Sequence, residues 1–211
     1  MMNRQVFEKL NYGLYVIGTH AGGKDQGCLV SSFAQITSGT PRKCTVTVNK
    51  DNATCQALLE SGTFALTMVD ESCDEELVKR FGYKSGRVEE KFAAYDVRRD
   101  AAGNPYLTDG MAAWVSCRIV EKIEVGNFYL FLCDAVEGDV LSEGRVMTMD
   151  AFLKKGHFAA PPTATVYRTM RTDEGWVCPI CGFVYEKDEL PEGYICPLCR
   201  CPGEKFVKKQ A

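Results

Sequence analysis

The sequence predicts a mainly β protein, a closed or nearly closed barrel with few helices, followed by a small metal-binding segment. Three observations carry this. Short runs rich in β-branched and aromatic residues recur through the first 170 or so residues, separated by turn residues. Helical periodicity is confined to two short stretches. Two C-x-x-C pairs crowd into the last forty or so residues.

Taken in order, residues 12–19 alternate like a strand and run into the turn sequence Gly22-Gly-Lys-Asp25. Residues 28–36, 44–48, 63–68, 113–119 and 128–136 are further β-rich runs. Residues 53–60 and 75–81 place apolar side chains three and four apart, as a helix with one buried face does. No Rossmann fingerprint follows a strand and no phosphate-binding P-loop occurs, so a nucleotide has to be held in another way.

Composition narrows the class. The 211 residues are 45% hydrophobic and 25% charged, as expected of a soluble globular protein with a real core. The net charge is −3, and the stretch from Arg171 onward carries six basic and seven acidic side chains. Neither part is a basic footprint for nucleic acid. The longest apolar run, Phe128-Tyr-Leu-Phe-Leu-Cys133, is strand-sized, so no membrane span is expected. Charges at the N-terminus stand where a signal peptide needs apolar residues, which points to a cytoplasmic protein.

Of the eleven cysteines, Cys28, Cys44, Cys55, Cys73, Cys117 and Cys133 lie singly in apolar sequence, where a free thiol acts as a small buried hydrophobe. The other five are Cys178, Cys181, Cys196, Cys199 and Cys201. Two residues between cysteines let one tight turn aim both sulfurs at a common point. Two such turns supply a tetrahedral cage from Cys178, Cys181, Cys196 and Cys199, which leaves Cys201 spare. Four thiolates suit zinc or iron, and the spacing does not separate them.

The surrounding residues do. Trp176-Val-Cys-Pro-Ile-Cys-Gly-Phe-Val-Tyr185, Leu190-Pro191 and Cys196-Pro-Leu-Cys199 resemble a rubredoxin, in the short form that ends rubrerythrins. The resemblance implies one iron, with Trp176, Phe183, Tyr185 and Phe206 keeping water away; zinc is the alternative metal. Arg200 departs from the family's glycine in the second knuckle.

The first part resembles the flavin reductase-like, FMN-binding split-barrel family. The likeness rests on Gly13-Leu-Tyr-Val-Ile-Gly18, Ser31-Ser-Phe-Ala-Gln-Ile36, Val48-Asn-Lys-Asp-Asn-Ala-Thr54, Glu76-Leu-Val-Lys-Arg-Phe-Gly82, Lys84-Ser-Gly-Arg87 and Lys91-Phe92. It implies an FMN-binding split barrel over residues 1–170 and a rubredoxin-like domain over residues 171–211. By the family's pattern, Ser31, Ser32 and Gln35 run beside the flavin ring. Asn49, Lys50, Asn52 and Thr54 approach a helix start suited to a phosphate, and Ser85, Gly86, Arg87 and Lys91 form a second basic loop.

Asn127-Phe128 stands where many members of the family carry an Asp-His pair, a loss that speaks against direct reduction by NADH. His20 reads as a turn residue and His157 as an exposed one. No side chain is assigned as catalytic, because the two cofactors carry the chemistry. The resemblance thus implies an electron carrier in a homodimer. A separate NAD(P)H–rubredoxin oxidoreductase stands upstream, and a diiron flavoprotein or a rubrerythrin that removes oxygen, nitric oxide or peroxide stands downstream. The enzyme alternative is an NAD(P)H-dependent flavin reductase with a structural zinc ribbon.

Overall fold

The computed structural model describes residues 4–156, 164, 175–179, 184–185, 187, 189–196 and 201–209. A 3-10 turn at Arg4–Lys9 leads into the hairpin β1 (Tyr15–Ala21) and β2 (Lys24–Val30). Gly22 and Gly23 make its two-residue turn at φ 56° and 75°, a region that side chains with a Cβ rarely enter. Then follow β3 (Ala34–Gln35), β4 (Lys43–Asn49), α1 (Ala53–Ser61), β5 (Thr63–Val69) and α2 (Glu75–Tyr83). A 3-10 turn at Lys91–Ala94 precedes β6 (Val97–Arg99) and β7 (Pro105–Leu107). The long hairpin β8 (Met111–Val125) and β9 (Phe128–Val140) comes next, and then α3 (Met149–Gly156).

Seven strands form one antiparallel sheet in the order β2-β1-β5-β8-β9-β4-β3. The register of β8 against β9 shifts at Ser116/Cys117 and at Ile119/Glu121. Such bulges bend and twist a ribbon. The sheet curls until β2 and β4, at opposite ends of the order, pack side chains into one interior. Ile17, Cys28, Val46, Leu58, Phe64 and Phe131 belong to that core. The roll does not become a closed cylinder, because β2 and β4 form no ladder with each other.

Each helix has a local reason for its limits. α1 ends at Gly62, whose φ of 68° lets its N–H reach Leu58 O at 3.0 Å. α2 starts at Asp74, whose carboxylate accepts from Glu76 N at 2.9 Å. Glu75 and Glu76 in its first turn and Arg80 in its last complement the helix dipole. Leu77, Val78 and Phe81 on its inner face join a second core with Phe152 of α3. That core extends to Cys178, Cys196, Cys201 and Phe206.

The C-terminal part is a three-stranded sheet ordered β11 (Val184–Tyr185), β10 (Gly175–Val177), β12 (Val207–Lys209). Among the described residues no helix is long and apolar enough to cross a membrane.

The strand expected over 28–36 is broken. β2 stops at Val30, and Ser32 turns so that its hydroxyl donates to Thr47 O (2.9 Å) and accepts from Thr47 N (3.0 Å). α3 was not foreseen, and β8 and β9 run well beyond the stretches read as strands. The single cysteines at 28, 44, 55, 73, 117 and 133 are buried and free, as expected. Burial pushes the Cys133 thiol up to about 12 and the Cys55 thiol up to about 11, so both stay protonated.

A charge clamp spans the middle of the sheet. Asp134 on β9, with its side chain almost wholly covered, pairs with Lys43 of β4 and, at 3.1 Å, with Arg118 of β8. Its hydrogen bonds to Lys43 and then to Arg118 hold its carboxyl below the usual range. A carboxyl depressed in the folded state stabilises the fold above its unfolded value of about 3.9, and that contribution is lost as pH falls through the folded value. Urea unfolding of Asp134→Asn should therefore show lower stability than wild type at pH 7. The difference should shrink toward pH 2; a gap equal at both pH values would refute the clamp.

Candidate functional site

A cleft of 430 Å³ opens where β2 and β4 fail to pair. Its volume lies within the roughly 300–1,000 Å³ range of small-ligand sites. Leu29 and Val30 of β2, Val48 of β4 and Phe81 of α2 give it apolar walls. Its polar lining gathers at the start of α1 and along the loop after α2.

Asn52 is the N-cap of α1 but makes no side-chain capping bond. The first-turn amides at Ala53 and Thr54, both in the lining, are therefore available to an anion. Ser85, Gly86 and Arg87 face them across the cleft. Ser85 Oγ accepts from Arg87 N at 3.3 Å. A Cβ on Gly86 would collide with Gln26 Oε1, so a larger residue here would have to push the Gln26 side chain aside. That buried Gln26 oxygen has no hydrogen-bond partner among the described residues.

Lys91 is the most constrained charge in the site. It is 4% exposed, and its ammonium donates to Phe81 O at 3.2 Å. No carboxylate lies within ion-pair distance of it among the described residues. Burial draws its pKa down, opposed first by the nearby Cys28 and then by Glu89. Burial likewise pushes the Cys28 thiol up. A buried cation without an anionic partner is costly, and a bound anion relieves that cost.

Of the expected cofactor contacts, Ser31, Asn49, Asn52, Thr54, Ser85, Gly86, Arg87 and Lys91 all line this cleft. Ser32, Gln35 and Lys50 do not. The Ser32 hydroxyl is committed to the Thr47 backbone. Gln35 is exposed and donates to Thr37 O at 2.8 Å. Lys50 turns outward to Glu124 and lies 5.0 Å from the Tyr129 ring. Thr47, Tyr83, Met149, Ala164 and Pro179 are lining residues that no sequence pattern singled out.

Asn127 sits in the turn between β8 and β9, where its carbonyl accepts from Lys50 N at 2.9 Å. Neither Asn127 nor Phe128 lines the cleft of its own chain. Their identity therefore says little about what approaches that cleft from within one subunit.

Pro179 belongs to the C-terminal part and directly follows Cys178. Cys178 and Cys196 are both 0% exposed. The Tyr194 ring lies 4.8 Å from Tyr185, tilted by 57°, and meets Phe206 edge-on at 5.5 Å. Lys208 lies 5.7 Å from the Trp176 ring. Cys196 N donates to Cys201 O at 2.9 Å, which brings Cys201 to the same centre. Burial and then the neighbouring Cys178 push the Cys201 thiol up. Cys181, Cys199, Phe183, Arg200 and His157 lie outside the described residues. Among the described residues no three metal-ligating side chains converge.

The donor sets suit two different groups. Open helix amides, hydroxyls, Arg87 and Lys91 beside apolar walls fit a phosphorylated aromatic cofactor such as FMN. Buried thiols among aromatic rings fit a soft metal ion held away from water.

Comparison with known proteins gives the same division. Residues 7–159 match the flavin reductase like domain, and residues 176–207 match the rubrerythrin, rubredoxin-like domain. A ferric-chelate reductase (NAD(P)H) of Archaeoglobus fulgidus is 32% identical over 168 residues, 79% of this chain and 98% of that protein. A high molecular weight rubredoxin of Moorella thermoacetica is 27% identical over 190 residues, 87% of this chain and 82% of that one. Among solved structures, an NADH:FAD oxidoreductase of Streptomyces globisporus superposes with a TM-score of 0.62 at 23% identity. That match covers 69% of this chain and 85% of the other, and it speaks to the fold.

Two outcomes follow from the geometry. Lys91→Met should weaken FMN binding about ten- to hundredfold, the effect of losing one charge-assisted contact. Flavin-free wild type should also gain stability relative to Lys91→Met as pH rises toward the lysine's ordinary value of 10.5. A lysine depressed in the fold binds fewer protons than the unfolded chain does, so unfolding loses ground as pH climbs. Flavin fluorescence titration and urea melts read these, and unchanged FMN affinity would remove Lys91 from the site. Cys196→Ser should abolish metal binding while FMN stays bound, because the barrel has its own core. Loss of flavin together with the metal would make the two parts one folding unit.

Proposed function

The chain belongs to the flavin reductase like family and carries a rubredoxin-like domain at its end, and on that premise we propose that it joins a flavin to a one-electron iron centre. The carrying observation is Pro179. The residue that follows Cys178 lines the same cleft as Arg87 and Lys91. A metal knuckle seated at the cofactor cleft is the arrangement that an internal electron path requires.

FMN in the cleft would supply exchange between two-electron and one-electron partners, and iron in the thiolate cage would supply the one-electron step with little rearrangement. The residues do the rest. Ala53 and Thr54 amides, Ser85 and Arg87 would anchor the phosphate; Lys91 would offset negative charge inside the cleft. Leu29, Val30 and Phe81 would keep water from its walls. Trp176, Tyr185, Tyr194 and Phe206 would shield the four cysteines Cys178, Cys181, Cys196 and Cys199.

Electrons would enter from NAD(P)H at the flavin and leave through the iron. The NAD(P)H-dependent ferric-chelate reductase activity of the Archaeoglobus relative supports this entry point, since 98% of that protein aligns here. Asn127-Phe128 lies outside the cleft of its own chain, so the missing Asp-His pair leaves the entry of NAD(P)H from within one subunit unopposed. A separate NAD(P)H–rubredoxin oxidoreductase feeding the iron is the second reading, favoured by likeness to a high molecular weight rubredoxin. Proteins that reduce oxygen, nitric oxide or peroxide suit the outlet. A homodimer would form on the protruding β8–β9 ribbon, where Val120, Ile123 and Val125 stand exposed.

Anaerobic stopped-flow with NADH tests the reading. One FMN and one iron per chain are expected by elemental analysis and absorption. The flavin band should bleach first and the iron–thiolate band second, without any added reductase. Pro179→Glu should keep both bands and slow the second phase about tenfold. Bleaching only after a rubredoxin reductase is added would favour the second reading. Zinc that iron reconstitution fails to replace would refute the iron centre.

A further inference from the structure

Three residues that come after the barrel strands complete the flavin cleft. Met149 opens α3, Ala164 and Pro179 follow it in sequence, and all three line the 430 Å³ space that β2, β4 and α2 wall on the barrel side. A cleft of this volume lies toward the lower end of the roughly 300–1,000 Å³ range of small-ligand sites. The C-terminal part thus forms a portion of the wall.

The described packing between the two parts is apolar. Met149 and Phe152 of α3 belong to one cluster with Cys178, Cys196 and Phe206, and Leu153 packs against it. The charges nearby are matched on their own elements. Asp150 and Lys154 of α3 pair with each other at 2.7 Å, and Arg80 and Lys84 both hold Glu89 at 3.1 Å. Among the described residues no strand ladder joins the three-stranded sheet to the seven-stranded one. A seat of this kind opens and re-forms without breaking a sheet.

We propose that the C-terminal part is a gate on the flavin cleft, seated for electron exit and unseated for hydride entry. The inference rests on the reading of NAD(P)H entry at the flavin and adds the order of the two exchanges. A hydride donor needs its ring flat against the flavin at about 3–3.5 Å. With Pro179 and Ala164 in the wall, a second ring system has no room beside the first. The donor and the metal knuckle therefore exclude each other. One NAD(P)H yields NAD(P)+, one proton and two electrons. The iron centre takes these one at a time, passing the first to an external one-electron acceptor before it receives the second. While the knuckle is seated, no further hydride enters.

The test uses the full chain loaded with FMN and metal. Pro179→Arg sets a third cation beside Arg87 and Lys91, which line the same cleft, and drives the seat open. With the open form at about a tenth of the wild-type population, that variant should bind tetrahydro-NADH, an analogue unable to give up hydride, about tenfold tighter by calorimetry. In anaerobic stopped-flow with NADH it should bleach the flavin about tenfold faster and the iron–thiolate band about tenfold slower. Leu153→Glu, which loosens the cluster from α3, should move the two phases in the same opposite directions. Mere damage to the site slows both phases. That result would overturn the gate, as would equal analogue affinity in wild type and Pro179→Arg, while NADH still bleaching the flavin keeps the entry reading intact. Flavin that NADH bleaches in none of the forms would overturn the entry reading and the gate together.

Discussion

The missing ladder between β2 and β4 is the constraint on which the rest of the molecule depends. Backbone groups at an unpaired strand edge need other partners. One is supplied by Ser32, which leaves the line of β2 to bond both backbone atoms of Thr47. That stitch holds the two edges near each other without closing them. The gap that remains is flanked by the start of α1 and by the loop after α2, so positive charge and free amides collect at its rim. A fully paired barrel of the same sequence would have a filled interior and no cleft.

Most of the strands were legible because one side of each faces a core and the period is two. The failures are instructive. Residues 28–36 have strand composition throughout, yet the segment breaks, because the Ser32 hydroxyl gains more from bridging to β4 than from continuing β2. Gln35 and Lys50 belong to motifs of which other residues line the cleft, but Gln35 bonds Thr37 O and Lys50 turns outward to Glu124. α3 is short, and its Met149 meets the cleft only through tertiary packing. Pro179 could not be assigned at all, since nothing local in a C-x-x-C turn tells which surface it will touch.

The site combines groups that a sequence pattern treats separately. Cys28, Phe81 and Lys91 come from a strand, a helix and a 3-10 turn, and their common environment changes each of them. Burial raises the thiol and lowers the amine, while their proximity opposes both effects. The second core has a similar consequence at larger scale. Phe152 and Phe81 share a cluster with Cys178 and Cys196, so the second core joins the helices beside the cleft to the C-terminal cysteines, while the first core stays within the barrel.

The uncapped beginning of α1 carries a consequence for the protein inside a cell. Most helices satisfy their leading amides with a side chain, as Asp74 does for α2. Asn52 leaves that task undone. Those amides are left to water or to a bound anion. A ligand present at about a hundred times its dissociation constant adds about 2.7 kcal/mol to a fold that binds it. A flavin bound there would protect newly made chains from proteolysis in proportion to its supply. Abundance of the protein would then follow cofactor supply without any change in transcription.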